Sequence, residues 1–253
     1  MRSFLIALVL TLSCGASLAQ DITVAAAADL QYAFQDVATR FEKTDGHHVK
    51  LIFGSSGNFF AQIQNGAPFD LFFSADSDYP KKLETSGLAE PGTFYAYATG
   101  KIVLWAPKES KLDLTQGLSV LKDPMAKKIA IANPEHAPYG RAAVAALHHE
   151  NLYDAVSGKF VLGENIAQTA EFVATGNADV GIIALSLALS PAMQSKGRYV
   201  EIPAEDYPAI QQAAVILKSS GQKNISRQFL DFLKTPPIVD LLHGYGFANP
   251  ASH

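Results

Sequence analysis

The chain has 253 residues, of which 48% are hydrophobic, and its 24 acidic and 20 basic side chains leave a formal net charge of −4 at pH 7. A mildly acidic chain without a basic run is poorly suited to nucleic acid or to an anionic membrane surface, so neither is expected as its main partner. The apolar content excludes a disordered chain, and the length predicts one large or two medium domains.

The first nineteen residues have the pattern of a secretory signal peptide. Met1-Arg2 supplies a positive start, and the apolar run over residues 4–12 is too short to span a bilayer. Small side chains at Ser17 and Ala19 predict cleavage after Ala19, and therefore a periplasmic protein. The only cysteine, Cys14, lies in this segment, and the poor motif around it disfavours the alternative of a lipid anchor.

Beyond this segment, apolar strands alternate with amphipathic helices. Strands are predicted at residues 22–26, 48–53, 71–74, 102–106, 128–132, 160–162, 180–184 and 212–218. Helices are predicted at residues 30–41, 80–87, 142–147, 167–175 and, as the final element, 225–233, with a further helix following Ser56. This alternation predicts βαβ units, a parallel sheet and therefore an α/β fold.

Two segments, near residues 96–101 and 212–218, are interpreted as crossings between two lobes. The predicted division gives a first lobe of residues 20–100 plus 214–253 and a second lobe of residues 101–213. A chain that leaves one lobe, builds a second and returns forms a cleft between them. The carboxyl ends of strands and the N-termini of helices line such a cleft.

Small or polar residues mark four predicted strand-to-helix junctions. They are Ala28-Asp29, Ser55-Ser56, Pro138-Tyr139-Gly140 and Asn165-Ile166. Taken singly, Asp29, Ser56 and Asn165 are explained as caps of their own helices, each contributing about 1 kcal/mol. Because a parallel sheet brings such junctions to one edge, the combination instead predicts a cleft that binds a small anion at helix N-termini. Uncharged donors suit a fully deprotonated dianion and reject a protonated oxyanion, whose hydrogen meets no acceptor.

Four motifs, in their order and spacing, resemble those of the periplasmic molybdate-binding proteins of ABC transporters. They are AAAADL (25–30), FGSSGNFFAQIQNGAPFDLFFSAD (53–76), IANPEHAPYG (131–140) and GENIAQTAEFVATGNADVGII (163–183). The resemblance implies a type II periplasmic-binding-protein fold with molybdate or tungstate held between two lobes. It also implies delivery to the transmembrane permease subunits, no cofactor and no enzymatic activity. A monomer is expected of a carrier that must open and dock.

The resemblance further implies which residues hold the oxyanion. They are Ala28, Asp29, Ser55, Ser56, Tyr139 and Ile166, which contact the oxygen atoms and not the metal. Two positions depart from the family pattern, since Ala28-Asp29 stands where many members have Ser or Thr-Asn, and Ala184 stands where many have tyrosine.

Asp29 is electrostatically unfavourable in this set, because a carboxylate repels a dianion. We expect its side chain to turn onto the N–H groups of its own helix, so that the ligand meets only a backbone N–H. A protonated Asp29 is the alternative, in which case binding weakens as pH rises. The hydroxyl of Tyr139 is a further candidate to compensate for the lost donors, although its backbone N–H is the expected contact.

Other functions remain open at this point. A different oxyanion fits the same chemistry, and ferric ion is a second alternative through Tyr199 and Tyr207, which lack a fitting motif. The adjacent pairs His47-His48 and His148-His149 do not share a face and predict no metal site. A hydrolase is disfavoured because the G-x-S-x-G spacing is absent and the sequence positions no acid to orient His136.

Overall fold

The computed structural model describes residues 21–250 of the chain. The predicted signal peptide, its cleavage after Ala19 and the alternative anchor at Cys14 lie outside these residues. Over the range described, no helix combines the length and the apolar character that crossing a membrane requires.

Strands and helices alternate along most of this range. The strands are β1 (Asp21–Ala27), β2 (His48–Gly54), β3 (Leu71–Ser74), β4 (Tyr95–Gly100), β5 (Ile102–Pro107), β6 (Ile129–Ala132), β7 (Phe160–Gly163), β8 (Val180–Ala184), β9 (Gly197–Glu201) and β10 (Ile210–Ile216). The α-helices are α1 (Gln31–Asp45), α2 (Ser56–Gln64), α3 (Asp78–Thr85), α4 (Pro138–His149), α5 (Tyr153–Val156), α6 (Ile166–Ala174), α7 (Leu185–Ala188), α8 (Pro191–Gln194), α9 (Lys223–Leu233) and α10 (Pro236–Gly244). A 3-10 turn, Ala28–Leu30, joins β1 to α1.

Each predicted strand and helix has an observed counterpart, and β3 and β8 have the predicted bounds. The elements that escaped prediction are the strands β4, which was interpreted as a crossing, and β9, whose residues are largely exposed, and the helices α5, α7, α8 and α10. The expectation that α9 ends the fold is wrong, because α10 follows it. The Pro236-Pro237 pair begins α10 at its first positions, where a helix tolerates a residue without an N–H.

The strands form two five-stranded sheets, in the orders β2-β1-β3-β10-β4 and β7-β6-β8-β5-β9. The predicted parallel pairing is confirmed for β1 with β2 and β3, and for β6 with β7 and β8. Both sheets are nevertheless mixed. In the first, β10 runs antiparallel to β3 and β4, and in the second, β5 runs antiparallel to β8 and β9. The antiparallel strands lie next to the crossings, where the chain enters or leaves a sheet in the opposite direction.

The two crossings lie at Lys101, between β4 and β5, and in the segment between β9 and β10. The predicted boundary between residues 213 and 214 falls inside β10. All of β10 pairs within the first sheet, so residues 210–213 belong with the first lobe. The two segments interpreted as crossings consist mainly of the strands β4 and β10. In the first sheet β10 lies between β3 and β4, and β4 forms the edge.

Each lobe has its own apolar core against its sheet. In the first lobe, edge-to-face aromatic pairs join Phe34 to Phe73, with ring centroids 4.8 Å apart, and Phe41 to Phe229, at 5.1 Å. In the second lobe the largest fully buried side chain is Trp105 of β5. The two cores meet where Ala27, Ala28 and Ala75 of the first lobe pack with the core of the second lobe.

A close approach of backbones fixes where α4 begins relative to β6. A Cβ added at Gly140 would overlap the carbonyl oxygen of Ala132, the last residue of β6. Only glycine permits this contact, since the obstacle is backbone and has little freedom to move. Gly140 therefore sets the position of the N-terminus of α4 at the cleft.

We predict that Gly140→Ala destabilises the protein by about 1–3 kcal/mol, because the added methyl group forces α4 away from β6. Urea unfolding followed by circular dichroism measures this as a lower midpoint. Gly158→Ala is the matched control, because Gly158 has open space around its Cβ position. Equal midpoints for the two variants would contradict the assigned contact.

Candidate functional site

All six predicted site residues line one cavity between the two lobes. The first lobe contributes Ala28, Asp29, Ser55 and Ser56, with Ala27, Gly54 and Ala75, and the second contributes Tyr139 and Ile166, with Ala137 and Pro138. The cavity has a volume of about 10 Å³, far below the roughly 300–1,000 Å³ typical of sites for drug-sized molecules. The structure therefore brings the predicted residues together around a space for a small ion, and their contact with a ligand stays a prediction.

Helix N-termini converge on this cavity from both lobes, and each helix has one early N–H group left for a ligand. In α2 the N–H of Gly57 donates to the carbonyl oxygen of His136, at 2.9 Å; of the early N–H groups that remain, those of Ser56 and Asn58, only that of Ser56 belongs to a residue lining the cavity. In α4 the first residue, Pro138, has no N–H, so Tyr139 supplies the first donor. The first N–H groups of a helix have no partner within it and carry its positive dipole end, which favours an anion.

The N-terminus of α6 shows the same arrangement through a cap. The predicted N-cap role of Asn165 is confirmed, because its Oδ1 accepts hydrogen bonds from the N–H groups of Ala167 and Gln168, both at 3.0 Å. The N–H of Ile166 is not involved in this cap. Since Ile166 lines the cavity, its N–H is the donor that α6 offers there.

Ser56 has a hydroxyl hydrogen to spare. Its side chain is fully buried, and its Oγ accepts a hydrogen bond from the N–H of Ala75 at 2.9 Å. A serine hydroxyl has one hydrogen in addition to its acceptor lone pairs. With the acceptor side used by Ala75, the O–H of Ser56 is free to donate to an anion.

Ser55 contacts a histidine that the sequence did not place in the site. The Oγ of Ser55 lies 2.9 Å from Nδ1 of His136, which approaches from the opposite lobe. Nε2 of His136 lies 3.6 Å from the carboxylate of Glu164. The serine, histidine and acid thus occur in the order used by hydrolases, through an acid, Glu164, that the sequence did not position beside His136. However, the cavity has no room for an ester or peptide beside Ser55, which is 5% exposed.

The expectation for the Asp29 side chain is wrong, because it does not cap its own helix. The 3-10 turn has no side-chain cap. Instead Oδ2 of Asp29 accepts hydrogen bonds from the hydroxyl of Tyr139, at 3.0 Å, and from Nε2 of Gln212, at 2.7 Å. These donors come from different lobes, so the carboxylate joins α4 to β10 across the cleft.

The same contacts decide the role of the Tyr139 hydroxyl. Its hydrogen is donated to Asp29, so it does not compensate for donors missing from the ligand site, and the backbone N–H of Tyr139 remains the candidate contact. Gln212 completes the network by donating to the Tyr139 oxygen at 3.0 Å and accepting from the Tyr97 hydroxyl at 2.7 Å. The sequence signal was a pair of polar residues, Gln211 and Gln212, at the start of an apolar strand, and it did not show which of the two faces the cleft.

Further contacts hold the lobes together outside the cavity. The Nδ2 group of Asn58 donates to Glu164 at 2.6 Å, and the hydroxyl of Ser186 donates to the carbonyl oxygen of Asp29 at 2.7 Å. Arg141 forms an ion pair with Asp76 of the other lobe and does not line the cavity. The arrangement is a closed one, in which both lobes contact each other on several sides of the cavity.

Residues suggested by the alternative functions lie elsewhere. Ala184, at the end of β8, is buried and does not line the cavity, and neither do Tyr199 and Tyr207. Within residues 21–250, one group has the ligand atoms of a metal site close together: His149, Glu150 and Asp206, within 4.8 Å of one another. Nδ1 of His149 lies 3.1 Å from Oδ1 of Asp206, and this direct contact explains why the group is close together.

Comparison with known proteins identifies the family. A family model described as bacterial extracellular solute-binding protein matches residues 22–248. The molybdate-binding protein ModA of Azotobacter vinelandii is 42% identical over 236 residues, which cover 93% of this chain and 92% of that protein. The molybdate-binding protein ModA of Rhodobacter capsulatus is 38% identical over 242 residues, 96% and 93% of the two chains.

The chain belongs to the bacterial extracellular solute-binding proteins. Among solved structures, the periplasmic molybdate-binding protein of Azotobacter vinelandii matches this solute-binding protein with a TM-score of 0.86 and 38% identity, over 91% of this chain and 100% of that one. The predicted two-lobed type II periplasmic-binding-protein fold is thereby confirmed, as is the resemblance to molybdate-binding proteins.

Burial makes Asp29 of this solute-binding protein an unusual carboxylate. It is 1% exposed, and burial raises its pKa from 3.8 to about 6, although the hydrogen bonds from Gln212 and Tyr139 counteract part of this rise. Burial and then the nearby Asp29 charge also raise the pKa values of Tyr97 and Tyr139 well above their usual range, so both hydroxyls keep their hydrogens. The network therefore has one group that titrates close to neutral pH.

We predict that Asp29 lowers the stability of the ligand-free protein as pH rises. A carboxyl whose folded pKa is raised to about 6 contributes stability below pH 4 and loses it as pH rises through 6. The shift corresponds to about 3 kcal/mol. Asp29→Asn lacks this loss, so between pH 4 and pH 8 its free energy of unfolding should gain about that amount relative to the wild type.

Urea unfolding at the two pH values measures this gain. Asp154→Asn, an exposed position on α5, controls for the removal of one negative charge. If the difference between Asp29→Asn and the wild type stays constant from pH 4 to pH 8, the raised pKa of Asp29 is wrong.

Proposed function

We propose that this protein captures molybdate outside the cytoplasm and delivers it to the permease of an ABC transporter. The observation that carries the proposal is the convergence of helix N-termini from both lobes on one small cavity with buried serine hydroxyls. Relatives named as molybdate-binding proteins at 42% and 38% identity support it. Tungstate, which shares the tetrahedral shape and charge, is proposed as a second ligand.

The donors suit a compact oxyanion. The backbone N–H groups of Ala28, Asp29, Ser56, Tyr139 and Ile166 are proposed to bind its oxygen atoms. The hydroxyl of Ser56 adds a donor whose direction is fixed by the hydrogen bond that it accepts from Ala75. No lysine or arginine lines the cavity within the described part of the chain, so the positive potential comes from helix dipoles and oriented amides.

Closure of the lobes is proposed to report ligand occupancy to the permease. Gly57 is central to it, because a Cβ there would come within 2.7 Å of the carbonyl oxygen that its N–H binds in His136. Because that hydrogen bond crosses between lobes, it forms only in the closed arrangement. Export through the segment 1–19, with cleavage after Ala19, and action as a monomer complete the proposal.

The test of the function is thermal unfolding of protein that has been denatured and refolded to remove ligand. Molybdate at a thousand times its dissociation constant stabilises the fold by about 4 kcal/mol, which gives an easily measured rise in Tm. We expect a rise with molybdate and tungstate and none with sulfate or phosphate. The absence of a rise with molybdate would refute the proposal, and a response to ferric ion alone would support the metal alternative.

We predict that Ser56→Ala weakens molybdate binding by about 1–3 kcal/mol, because a ligand oxygen loses its donor and the N–H of Ala75 loses its acceptor. Isothermal titration calorimetry measures the loss. Ser190→Ala is the matched control: Ser190 is equally buried, but its hydroxyl donates to Leu187 and does not line the cavity. An affinity unaffected in Ser56→Ala would remove Ser56 from the binding site.

A further inference from the structure

One oxygen of the buried Asp29 carboxylate has no role in the network that holds the other. Oδ2 accepts the two hydrogen bonds from Tyr139 and Gln212. Oδ1 is buried, and none of the residues from 21 to 250 offers it a hydrogen-bond partner. Buried polar atoms are almost always paired, so a lone one in a lining residue points to a ligand that completes it.

Every hydrogen on the neighbouring polar groups is already committed. The Tyr139 hydroxyl donates to Asp29, and the amide of Gln212 donates to both Asp29 and Tyr139. The Tyr97 hydroxyl donates to the amide oxygen of Gln212. Oδ1 therefore gains no hydrogen from these groups, and the oxygen atoms of a fully deprotonated oxyanion bring none.

Two bare oxygens with negative charge repel each other, and a single proton between them turns that repulsion into a charge-assisted hydrogen bond. On the basis of the proposed function, we propose that the complex holds one proton between Oδ1 of Asp29 and an oxygen of the bound oxyanion. The proton comes from solution when the ligand is fully deprotonated, and it returns to solution when the ligand leaves. Asp29 is thus a residue that determines ligand affinity through protonation.

Other titratable groups around Asp29 are accounted for. The groups that face it are the phenols of Tyr139 on α4 and Tyr97 on β4, whose raised pKa values keep them neutral. The partners from β10 and α7 are Gln212 and Ser186, which do not titrate in this range. His136, whose Nδ1 lies 2.9 Å from Oγ of Ser55 at the wall of the cavity, is the remaining ionisable side chain and needs its own control.

The proposal fixes the direction of the pH dependence. The pKa of about 6 belongs to Asp29 as it is buried between the closed lobes, so at pH 7 and above the carboxyl is ionised before a ligand binds. Between pH 7 and pH 8.5 binding then requires uptake of one proton, so the Kd for molybdate rises about tenfold per pH unit. Toward pH 6 the dependence levels off, because Asp29 in the free protein already carries the proton.

The experiment is calorimetric titration with sodium molybdate from pH 6.5 to pH 8.5, in buffers of different ionisation enthalpy. For the wild type we expect the Kd to rise with this slope and the proton uptake at pH 8 to approach one per molybdate. Asp29→Asn offers an N–H where the proton was, while its oxygen still accepts from Tyr139 and Gln212. Its Kd should vary less than about twofold over the range. His136→Asn, which keeps a polar group toward Ser55, should retain the wild-type slope.

A wild-type Kd for molybdate that stays constant over this range without proton uptake overturns the proposal while leaving the proposed function intact. The proposal is also overturned if the pH dependence of the Kd persists in Asp29→Asn or disappears in His136→Asn. Failure of the wild type to bind molybdate at any pH refutes the proposed function, and this proposal with it. If Asp29→Asn does not fold, the proton uptake of the wild type decides the matter alone.

Discussion

Oδ2 of Asp29 anchors the closed cleft, because it accepts one hydrogen bond from the opposite lobe, from Tyr139, and one from Gln212 of its own lobe. Tyr139 brings the N-terminus of α4 to this carboxylate, and Gln212 brings β10, the strand on which the chain returns to the first sheet. Gly100, at the end of β4, leaves the space that the network needs, since a Cβ there would overlap the hydroxyl of Tyr139. Closure thus brings together the strand β10, the N-terminus of α4 and the buried carboxylate of Asp29.

A buried carboxylate beside an anion cavity is electrostatically costly. At 4 Å from a unit negative charge, with an effective dielectric constant near 20, the repulsion is about 4 kcal/mol. Two features reduce it: the helix N-termini create a positive potential at the same place, and the pKa of about 6 makes the carboxyl easy to neutralise. Protonating the Asp29 carboxylate therefore weakens the repulsion at a lower cost in free energy than moving its side chain out of the network.

Local sequence patterns predicted most of the fold because β1, β2, β6 and β7 each end at a distinct small-residue or polar junction. These local patterns did not predict that β10 and β5 run antiparallel to their neighbours in the sheets. Strand direction depends on how the chain passes between the lobes. The four strand-to-helix junctions could be recognised because each is a local pattern, and the family resemblance selected the six predicted site residues from them. His136, Gln212 and Tyr97 were missed because their partners are distant in sequence: Gln212 and Asp29 are 183 residues apart. The Asp29 side chain was misplaced for the same reason, since capping considers only its own turn.

Asp29 also changes the basis of ligand selection. A site made only of donors excludes an oxyanion that carries a hydrogen, because that hydrogen meets no acceptor. Oδ1 of ionised Asp29 is such an acceptor, so this cavity does not exclude hydrogen phosphate on hydrogen-bonding grounds. Discrimination among tetrahedral oxyanions must then come from the size of the cavity, whose walls are the small side chains of Ala27, Ala28, Ala75 and Ala137. In the proposed complex, the alanine walls on both lobes set the radius of the ligand, and the carboxyl of Asp29 sets the number of protons that it carries.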